Sequence, residues 1–169
     1  MLPIIQQQLY HYGEKSIVWC CNPAQQFYVL SALKLCRIDC RTYHAELTHA
    51  ERQELITDFT IKPDEATVLI CSYYVNTAGS NLQHLCCNVH LFDTPTSDPF
   101  LQQAIGCVCQ LGQLKMVHIY DYQVKDSFNM TVIKKNLLKA IPDLATQLNT
   151  TIFEVSMGLE VDGSQHELV

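Results

Sequence analysis

Hydrophobic positions along this chain follow two patterns, one typical of buried strands and one typical of helices. Five short segments, nearly all of them continuous apolar runs rich in β-branched and aromatic residues, predict the strands of a sheet. They are SIVWCC (16–21), DCRTYHA (39–45), ATVLICS (66–72), NVHLFDT (88–94) and MVHIYDYQV (116–124). Between and after them lie stretches with apolar residues near helical spacing, at 24–36, 49–59, 99–110 and 127–141.

Local signals mark where these helices begin and end. Asn22 and Pro23 supply an N-cap and a first-turn proline, and Thr48 with Glu51 three residues later forms a capping-box pattern. Pro142 stops the last helix. Because strands and helices alternate, the pattern predicts an α/β fold: a parallel sheet flanked by helices on both faces, plus a C-terminal helix.

The same pattern divides the chain into four parts. An N-terminal segment (1–14) precedes an α/β lobe (15–125), which is followed by a C-terminal helix (126–148) and an acidic, weakly patterned tail (149–169). In parallel sheets of this class, binding residues gather in loops at the carboxyl ends of the strands. Those loops are predicted at 22–23, 44–47, 72–81 and 93–98.

Nine cysteines, an odd number, lie in or beside apolar segments, which favours reduced thiols inside a cell over a secreted disulfide framework. The chain has no secretory start and no apolar run near the roughly 20 residues that span a bilayer. We therefore expect an intracellular protein, cytosolic or nuclear, with no membrane partner. The spacing of His84, Cys86, Cys87, Cys107 and Cys109 lacks the paired pattern of structural zinc, so we interpret these cysteines as core or helix-face residues and predict no metal site.

The net charge is −6, and the charge distribution matters more than this total. Between Lys62 and Lys115 there is no lysine or arginine, while Asp64, Glu65 and Asp93 fall inside this window. A third of the chain therefore has no side chain that could neutralise a phosphate, which argues against strong nucleic-acid binding.

The stretch QAIGCVCQLGQ (103–113) has the spacing Q-A-x-x-R-x-x-R-x-G-Q, with Cys107 and Gln110 where the pattern has arginine. Three further pieces precede it in order: KSIVWCCNPAQQFYVL (15–30), YHAELTHAERQELITDF (43–59) and VLICSYYVNTAGSNLQ (68–83). Together they resemble motifs IV to VI of the second RecA-like lobe of Swi/Snf-type helicase-like ATPases, with a degenerate motif VI. The resemblance runs from about Lys15 to Ser127 and implies a RecA-like fold.

The resemblance also implies an ATP cleft shared between two lobes, and this chain lacks the G-x-x-x-x-G-K-[ST] loop of the first lobe. ATP and Mg²⁺ are therefore expected only in a complete two-lobe motor, with a first lobe supplied in cis or in trans. Neither Cys107 nor Gln110 can replace the charge of an arginine finger. Carried over from the motifs, the remaining ATP-cleft candidates are Gly79, Asn81, Gln103, Gly112 and Gln113.

By the same resemblance, the candidate contacts to double-stranded DNA are Asn22, His44, Arg52, Ser72, Thr77 and Gln83. Other interpretations stay open for some of them. His44 is equally a polar residue that ends a strand, and Arg52 is favoured to pair with Glu51 or Glu54 on a solvated helix. Tyr73 and Tyr74 could stack on a base, or place one ring in the core and one in solvent.

Three functions compete at this stage. The chain is half of a DNA-dependent ATPase motor in chromatin remodelling, a non-catalytic remnant that serves as an interaction domain, or an unrelated nucleotide-binding α/β domain. The ordered motifs argue against the third function, and the absent arginines argue against an active motor. We predict that the isolated chain does not hydrolyse ATP, binds ATP very weakly, and binds DNA weakly and in a salt-sensitive way.

Overall fold

A computed structural model describes residues 1–75, 82–139, 142 and 146. Five strands form one parallel sheet: β1 (Lys15–Cys20), β2 (Cys40–Tyr43), β3 (Val68–Ser72), β4 (Cys86–Leu91) and β5 (His118–Asp121). Their order in the sheet is β2-β3-β1-β4-β5, so the first strand in the chain lies at the centre. All five strands predicted from the sequence are thus confirmed, although the edge strand β5 is mostly exposed.

Four helices accompany the sheet: α1 (Leu2–Tyr12), α2 (Pro23–Leu35), α3 (His49–Ile61) and α4 (Asp98–Gly106). These elements belong to a compact unit, Met1–Val132. A second unit, Ile133–Val169, is described only at 133–139, 142 and 146. The predicted C-terminal helix is helical over 128–139 and again at 142 and 146, so the prediction that Pro142 ends it was wrong. The predicted tail lies outside the described residues.

Both predicted N-caps are present, and the capping box predicted for Thr48 is matched by one at Asn22 that was not predicted. The Asn22 side chain accepts a hydrogen bond from the backbone N–H of Gln25, and the Gln25 side chain accepts one from the backbone of Asn22. Thr48 and Glu51 make the same reciprocal pair at the start of α3. Each box satisfies backbone donors that a helix leaves without partners, so these two helix starts are fixed by local sequence.

Helix α1 is an element that the sequence pattern did not predict in segment 1–14. Pro3 lies in its first turn, and Gly13 ends it in the left-handed conformation, with φ of 63°. Ile5 on this helix is fully buried against the sheet. The proline near the start and the glycine just after the end were the available signals.

The sheet is covered on both faces, as predicted. Alternate residues of β1 point to opposite sides, with Ile17 and Trp19 in one apolar cluster and Val18 and Cys20 in the other. The first cluster packs under α3 and α4, through Phe59 and other residues. The second packs under α1 and α2. The alternation explains why a continuous apolar run is needed in a strand that has no solvent face.

Lys15 is a buried cation at the start of the central strand, with 2% of its surface exposed. Its ammonium group donates to three backbone carbonyls, those of Asp58 (3.1 Å), Lys62 (2.5 Å) and Glu65 (2.6 Å). A protonated lysine has three N–H donors, one for each of the three carbonyls, so these contacts identify Lys15 as charged. Burial nevertheless lowers the pKa of this amine. Lys15 therefore satisfies the carboxyl end of α3 and ties it to β1.

Replacing Lys15 with methionine should lower the free energy of unfolding by about 3 kcal/mol, because it leaves several carbonyls without a donor in a partly buried site. Chemical denaturation followed by circular dichroism measures this change. The matched control is Lys34→Met, which removes an exposed lysine from α2 and should change stability by less than about 0.5 kcal/mol. Equal effects of the two changes would show that the carbonyl contacts contribute little.

His90 on β4 is fully buried in a polar network. Its Nε2 lies 2.9 Å from Oε1 of Gln8, its Nδ1 lies 2.8 Å from the hydroxyl of Tyr122, and its ring stacks on Tyr120. Oε1 of Gln8 can only accept, so Nε2 carries a proton and donates to it, and the Tyr122 hydroxyl can donate to the bare Nδ1 of a neutral imidazole. Burial lowers the pKa of His90 to about 3, with a smaller contribution from the N-terminal amine.

This low pKa predicts a loss of stability in acid. Between about pH 6.5, where an unfolded histidine titrates, and about pH 3, the unfolded chain binds a proton that folded His90 does not. The stability difference between the wild type and His90→Gln should therefore shrink by about 1.4 kcal/mol per pH unit as the pH falls through this window. Urea denaturation at several pH values measures it. A constant difference across the window would exclude a neutral buried His90.

Candidate functional site

The carboxyl ends of the central strands are held together by Asp93, which follows β4. Its carboxylate accepts hydrogen bonds from Gln25 at the start of α2 and from Asn129 near the start of the C-terminal helix. Its backbone carbonyl accepts one from the hydroxyl of Tyr73, after β3 (3.0 Å). Sequence analysis did not single out Asp93, although an acidic residue directly after a buried strand was a visible signal. Asp93 therefore joins the segment after β3 to the starts of α2 and of the C-terminal helix.

Helix α4 ends four residues earlier than predicted, at Gly106 rather than near Gln110. The backbone N–H groups of Val108 and Cys109 both turn back to the carbonyl of Ile105, at 3.1 and 3.0 Å. The carbonyl of Cys107 accepts from the N–H of Leu82 (3.2 Å) instead of continuing the helix. The two positions that carry arginine in the family motif therefore lie at and beyond the helix end.

Cys107 faces the protein interior. It is 4% exposed, lies in the apolar cluster with Cys71, Cys86 and Leu82, and donates from Sγ to the carbonyl of Ala104 (2.9 Å). Burial raises the pKa of its thiol to about 12, so it is an uncharged core residue. The surrounding side chains leave this position no path to a nucleotide.

Gln110 is half-exposed in the turn that follows, and its carbonyl accepts from the N–H of Gln113 (3.1 Å). The intervening Gly112 has φ of 96°, a conformation that favours glycine. Gln113 braces the turn: its side-chain amide donates to the carbonyls of Cys86 (2.9 Å), Gln83 (3.3 Å) and Val108 (3.4 Å). These three residues hold the backbone of the motif, and Gln113 has its amide hydrogens occupied by protein.

Of the other ATP-cleft candidates, Gln103 lies half-exposed on α4, where its carbonyl accepts from the N–H of Cys107. Gly79 and Asn81, and the DNA candidate Thr77, lie outside the described residues. The donor set at motif VI does not by itself fit a nucleotide triphosphate with its metal. It offers no lysine or arginine in the window up to Lys115, and Lys115 is paired with Glu14 at 3.0 Å.

Two DNA candidates, His44 and Ser72, meet at an open cavity of about 400 Å³ above the ends of β2 and β3. Asn22, next to the lining residue Pro23, is exposed, but its side chain is used in the capping box. The Oγ of Ser72 accepts from the N–H of Tyr74 (3.2 Å). No lysine or arginine is among the described residues that line the cavity, and Glu46 adds negative charge. This chemistry disfavours phosphate.

Arg52 pairs with neither Glu51 nor Glu54, so that interpretation was wrong. Its guanidinium donates to the carbonyl of Ala45 (2.6 Å) and lies over the ring of Tyr43, 5.6 Å from its centroid. Arg52 therefore holds the loop after β2 against α3. Arg52 is half-buried, and its Nε is buried without a hydrogen-bond partner among the described residues.

Gln83 is buried, with its amide nitrogen 3.4 Å from the carbonyl of Leu111. Its Oε1 is also buried, and it has no partner among the described residues. Tyr73 is in the core, stacked on Trp19, whereas Tyr74 is partly exposed against Phe100. This confirms the interpretation of one ring in the core and one in solvent.

All nine cysteines are free thiols. In the part of the chain that the structure describes, no group of three His, Cys, Asp or Glu residues is arranged to hold a metal ion. Over the same residues, no helix is long and apolar enough to cross a bilayer.

Comparison with known proteins agrees with this geometry. The family model of the helicase conserved C-terminal domain matches residues 2–112. RNA polymerase-associated protein RapA of Yersinia pestis (strain Pestoides F) is 28% identical over 123 residues, which are 72% of this chain and 12% of RapA. RapA of Yersinia pseudotuberculosis serotype O:1b (strain IP 31758) gives the same values. The chain thus spans about an eighth of the length of these relatives, 12%.

The crystal structure of the C-terminal part of the Fun30 ATPase domain is similar to this fold, with a TM-score of 0.73 and 21% sequence identity. The similarity covers 79% of this chain and 42% of that one. The match to the family model extends over helix α1 as well as the motifs, so α1 belongs to the matched region. The chain is therefore a member of the helicase conserved C-terminal domain family, with the RecA-like fold of the second lobe that Swi/Snf-type ATPases carry.

Proposed function

We propose that this chain serves as the second lobe of a Swi/Snf-type DNA-dependent ATPase, in which it forms half of an ATP cleft and half of a DNA track and is inactive alone. The observation that supports this most is the preserved backbone of motif VI. Gly112 in its left-handed conformation and Gln113 on three carbonyls keep the turn that carries the finger position. The finger itself is replaced by the neutral Gln110.

The charge distribution supports inactivity. Transfer of a phosphoryl group develops negative charge that a fixed cation must stabilise, and an arginine finger contributes about 10³-fold or more in rate. Gln110 is uncharged, Cys107 is buried, and Arg52 is engaged with Ala45 and Tyr43. A first lobe would have to supply the phosphate-binding lysine and the Mg²⁺ ligands. This chain would supply the opposite wall of the cleft, without an arginine finger.

DNA contact in this proposal rests mainly on neutral donors such as Ser72 and Asn22, with His44 beside them. We expect dissociation constants at or above about 10⁻⁴ M at physiological salt, the weak limit of non-specific binding. A nuclear location and a role in chromatin remodelling belong to the proposal as well. The RapA relatives come from Yersinia, a bacterium, so kinship with them supports no particular compartment.

A two-lobe reconstitution tests the proposal. A separately expressed first lobe of this family is titrated with a fluorescent ATP analogue, with and without this chain, in the presence of duplex DNA. We expect the chain to tighten nucleotide binding several-fold, because it closes the cleft, while phosphate release stays within about two-fold of the first lobe alone, because the finger is missing. Unchanged nucleotide affinity would reject the motor-lobe role and favour the alternative, a non-catalytic interaction domain.

A further inference from the structure

Within the described residues, strand β2 lies at an edge of the sheet, with β3 as its one neighbour. The N–H of Val68 donates to the carbonyl of Asp39, and Cys40 pairs with Val68 in a parallel register. In a parallel ladder, alternate residues direct both backbone groups to the neighbouring strand. Asp39, Arg41 and Tyr43 therefore face β3, while Cys40 and Thr42 present their N–H and C=O outward.

Thr42 has polar groups at this edge that lack hydrogen-bond partners among the described residues. Its hydroxyl is buried and has no hydrogen-bond partner among the described residues. Outside the β2–β3 ladder, no hydrogen bond within the described ranges uses its backbone groups. Buried polar groups without partners are rare in native proteins and call for an explanation.

Two pockets flank this edge, one on each face of the sheet, and Thr42 lines both of them. The first is the cavity of about 400 Å³ on the α2 side, where Pro23, Phe27 and Leu30 give an apolar wall. Phe27 is 71% exposed at its rim. A pocket of this size and polarity fits an aliphatic or aromatic side chain.

The second pocket, of about 300 Å³, lies on the α3 side and is acidic. Glu51, Glu54 and Asp58 line it, and the Asp58 carboxylate is already paired with Lys62 at 2.8 Å. The basic residue among its described lining, Arg41, is already paired with Asp39. Glu54 is exposed and makes no ion pair with another described residue, so this pocket fits a cationic side chain.

We propose that the outer edge of β2 binds an extended segment of a partner protein, which adds to the sheet as a further strand and alternates apolar and basic residues. Successive side chains of a strand point to opposite faces, so apolar side chains enter the α2-side cavity and basic side chains enter the α3-side pocket. The backbone of the segment pairs with the outward groups of Cys40 and Thr42. This inference does not depend on the proposed motor function.

Charge favours such a partner over a second copy of this chain. Edge-to-edge pairing of two β2 strands would bring Arg41 towards Arg41 and one acidic pocket towards the other, and like charges at close range oppose association.

A defined peptide tests the inference. The full-length chain, labelled with ¹⁵N, is titrated with the capped hexapeptide SLRLRS, in which leucine and arginine alternate. We expect micromolar binding with amide shifts at Cys40 and Thr42, and slower hydrogen exchange at the N–H of Thr42, which currently faces outward. The peptide SLLRRS has the same composition without the alternation and should bind at least about tenfold more weakly.

Three variants on this surface and two matched controls locate the contacts. Phe27→Ala and Glu54→Lys should each weaken peptide binding about tenfold. The first removes part of the apolar wall that contacts leucine, and the second replaces a carboxylate that pairs with arginine. Tyr28→Ala, an exposed aromatic on the same helix outside the cavity lining, and Asp64→Lys, the same charge change in a distant turn, should leave binding unchanged. Thr42→Pro removes the outward N–H and should abolish binding, because the ladder to β3 does not use that group.

Several results would overturn the inference. These are equal affinity for the two peptides, amide shifts that avoid β2, or loss of binding in the control variants. Self-association of the free chain through β2, seen by light scattering and abolished by Thr42→Pro, would instead assign this edge to a second copy. The ATPase measurements share no readout with this titration, so the two proposals fail separately.

Discussion

Replacing Cys107 with arginine, which restores the first arginine of the family motif, is expected to destabilise the lobe strongly rather than repair it. Cys107 is 4% exposed and shares an apolar cluster with Cys71, Cys86 and Leu82. An arginine here would bury a charge without a partner and overfill a packed core, at a cost of about 4 kcal/mol or more. Small domains have only about 5–15 kcal/mol of stability in total, so a large share of it would be lost.

Chemical denaturation of Cys107→Arg and Cys109→Arg makes the comparison. Cys109 is two residues away and exposed, so an arginine there should change stability by about 0.5 kcal/mol or less. If Cys107→Arg were as stable as Cys109→Arg, the side chain at 107 would have a route to solvent, and the cluster would be looser than it is in the structure. The expected result means that the core has closed over a position that carries a charge in the family.

Gln110→Arg is expected to have the opposite outcome, a gain of activity in a two-lobe complex. Gln110 is half-exposed in a turn that Gly112 and Gln113 hold in place, so an arginine can extend from it without burial. In a complex with a first lobe and DNA, the new cation should raise phosphate release by up to about 10³-fold, the contribution of an arginine finger. Leu111→Arg, one residue further on and fully exposed, adds the same charge in the wrong place and should give no gain.

Phosphate release at saturating ATP compares the two variants. A gain from both would mean that general positive charge matters rather than the finger position. No gain from Gln110→Arg, in a complex that still binds the ATP analogue, would show that position 110 does not align with the family arginine. Restoring position 110 alone is the informative change, because position 107 is no longer accessible.

The parts of the fold that depend on neighbouring residues were predictable. Asn22 with Gln25 and Thr48 with Glu51 satisfy helix starts within four residues, and apolar runs identify strands that are buried on two faces. Helix α1 was missed because its proline and glycine were the only strong markers in a short, mixed segment. The edge position of β5 could not be predicted from its own residues, since its burial depends on the order of strands in the sheet.

The candidate site was less predictable, because its contacts join residues far apart in sequence. The motif predicts that Gln113 faces the ATP cleft, but its side-chain amide donates to the carbonyls of Gln83 and Cys86, some thirty residues earlier. Lys15 stands in the sequence just before an apolar run, where an exposed lysine is expected. It is instead a buried cation bound to carbonyls of residues 58, 62 and 65. The burial of Cys107 was readable in principle, since Ala104, Cys107 and Val108 share one face at helical spacing.

The central claim is that this lobe brings no fixed positive charge to a nucleotide and therefore cannot split it alone. Phosphate release by the purified chain, with ATP, Mg²⁺ and duplex DNA, tests that claim most directly. We predict a rate equal to that of buffer without protein. Turnover that rises with the concentration of the chain and survives further purification would contradict it.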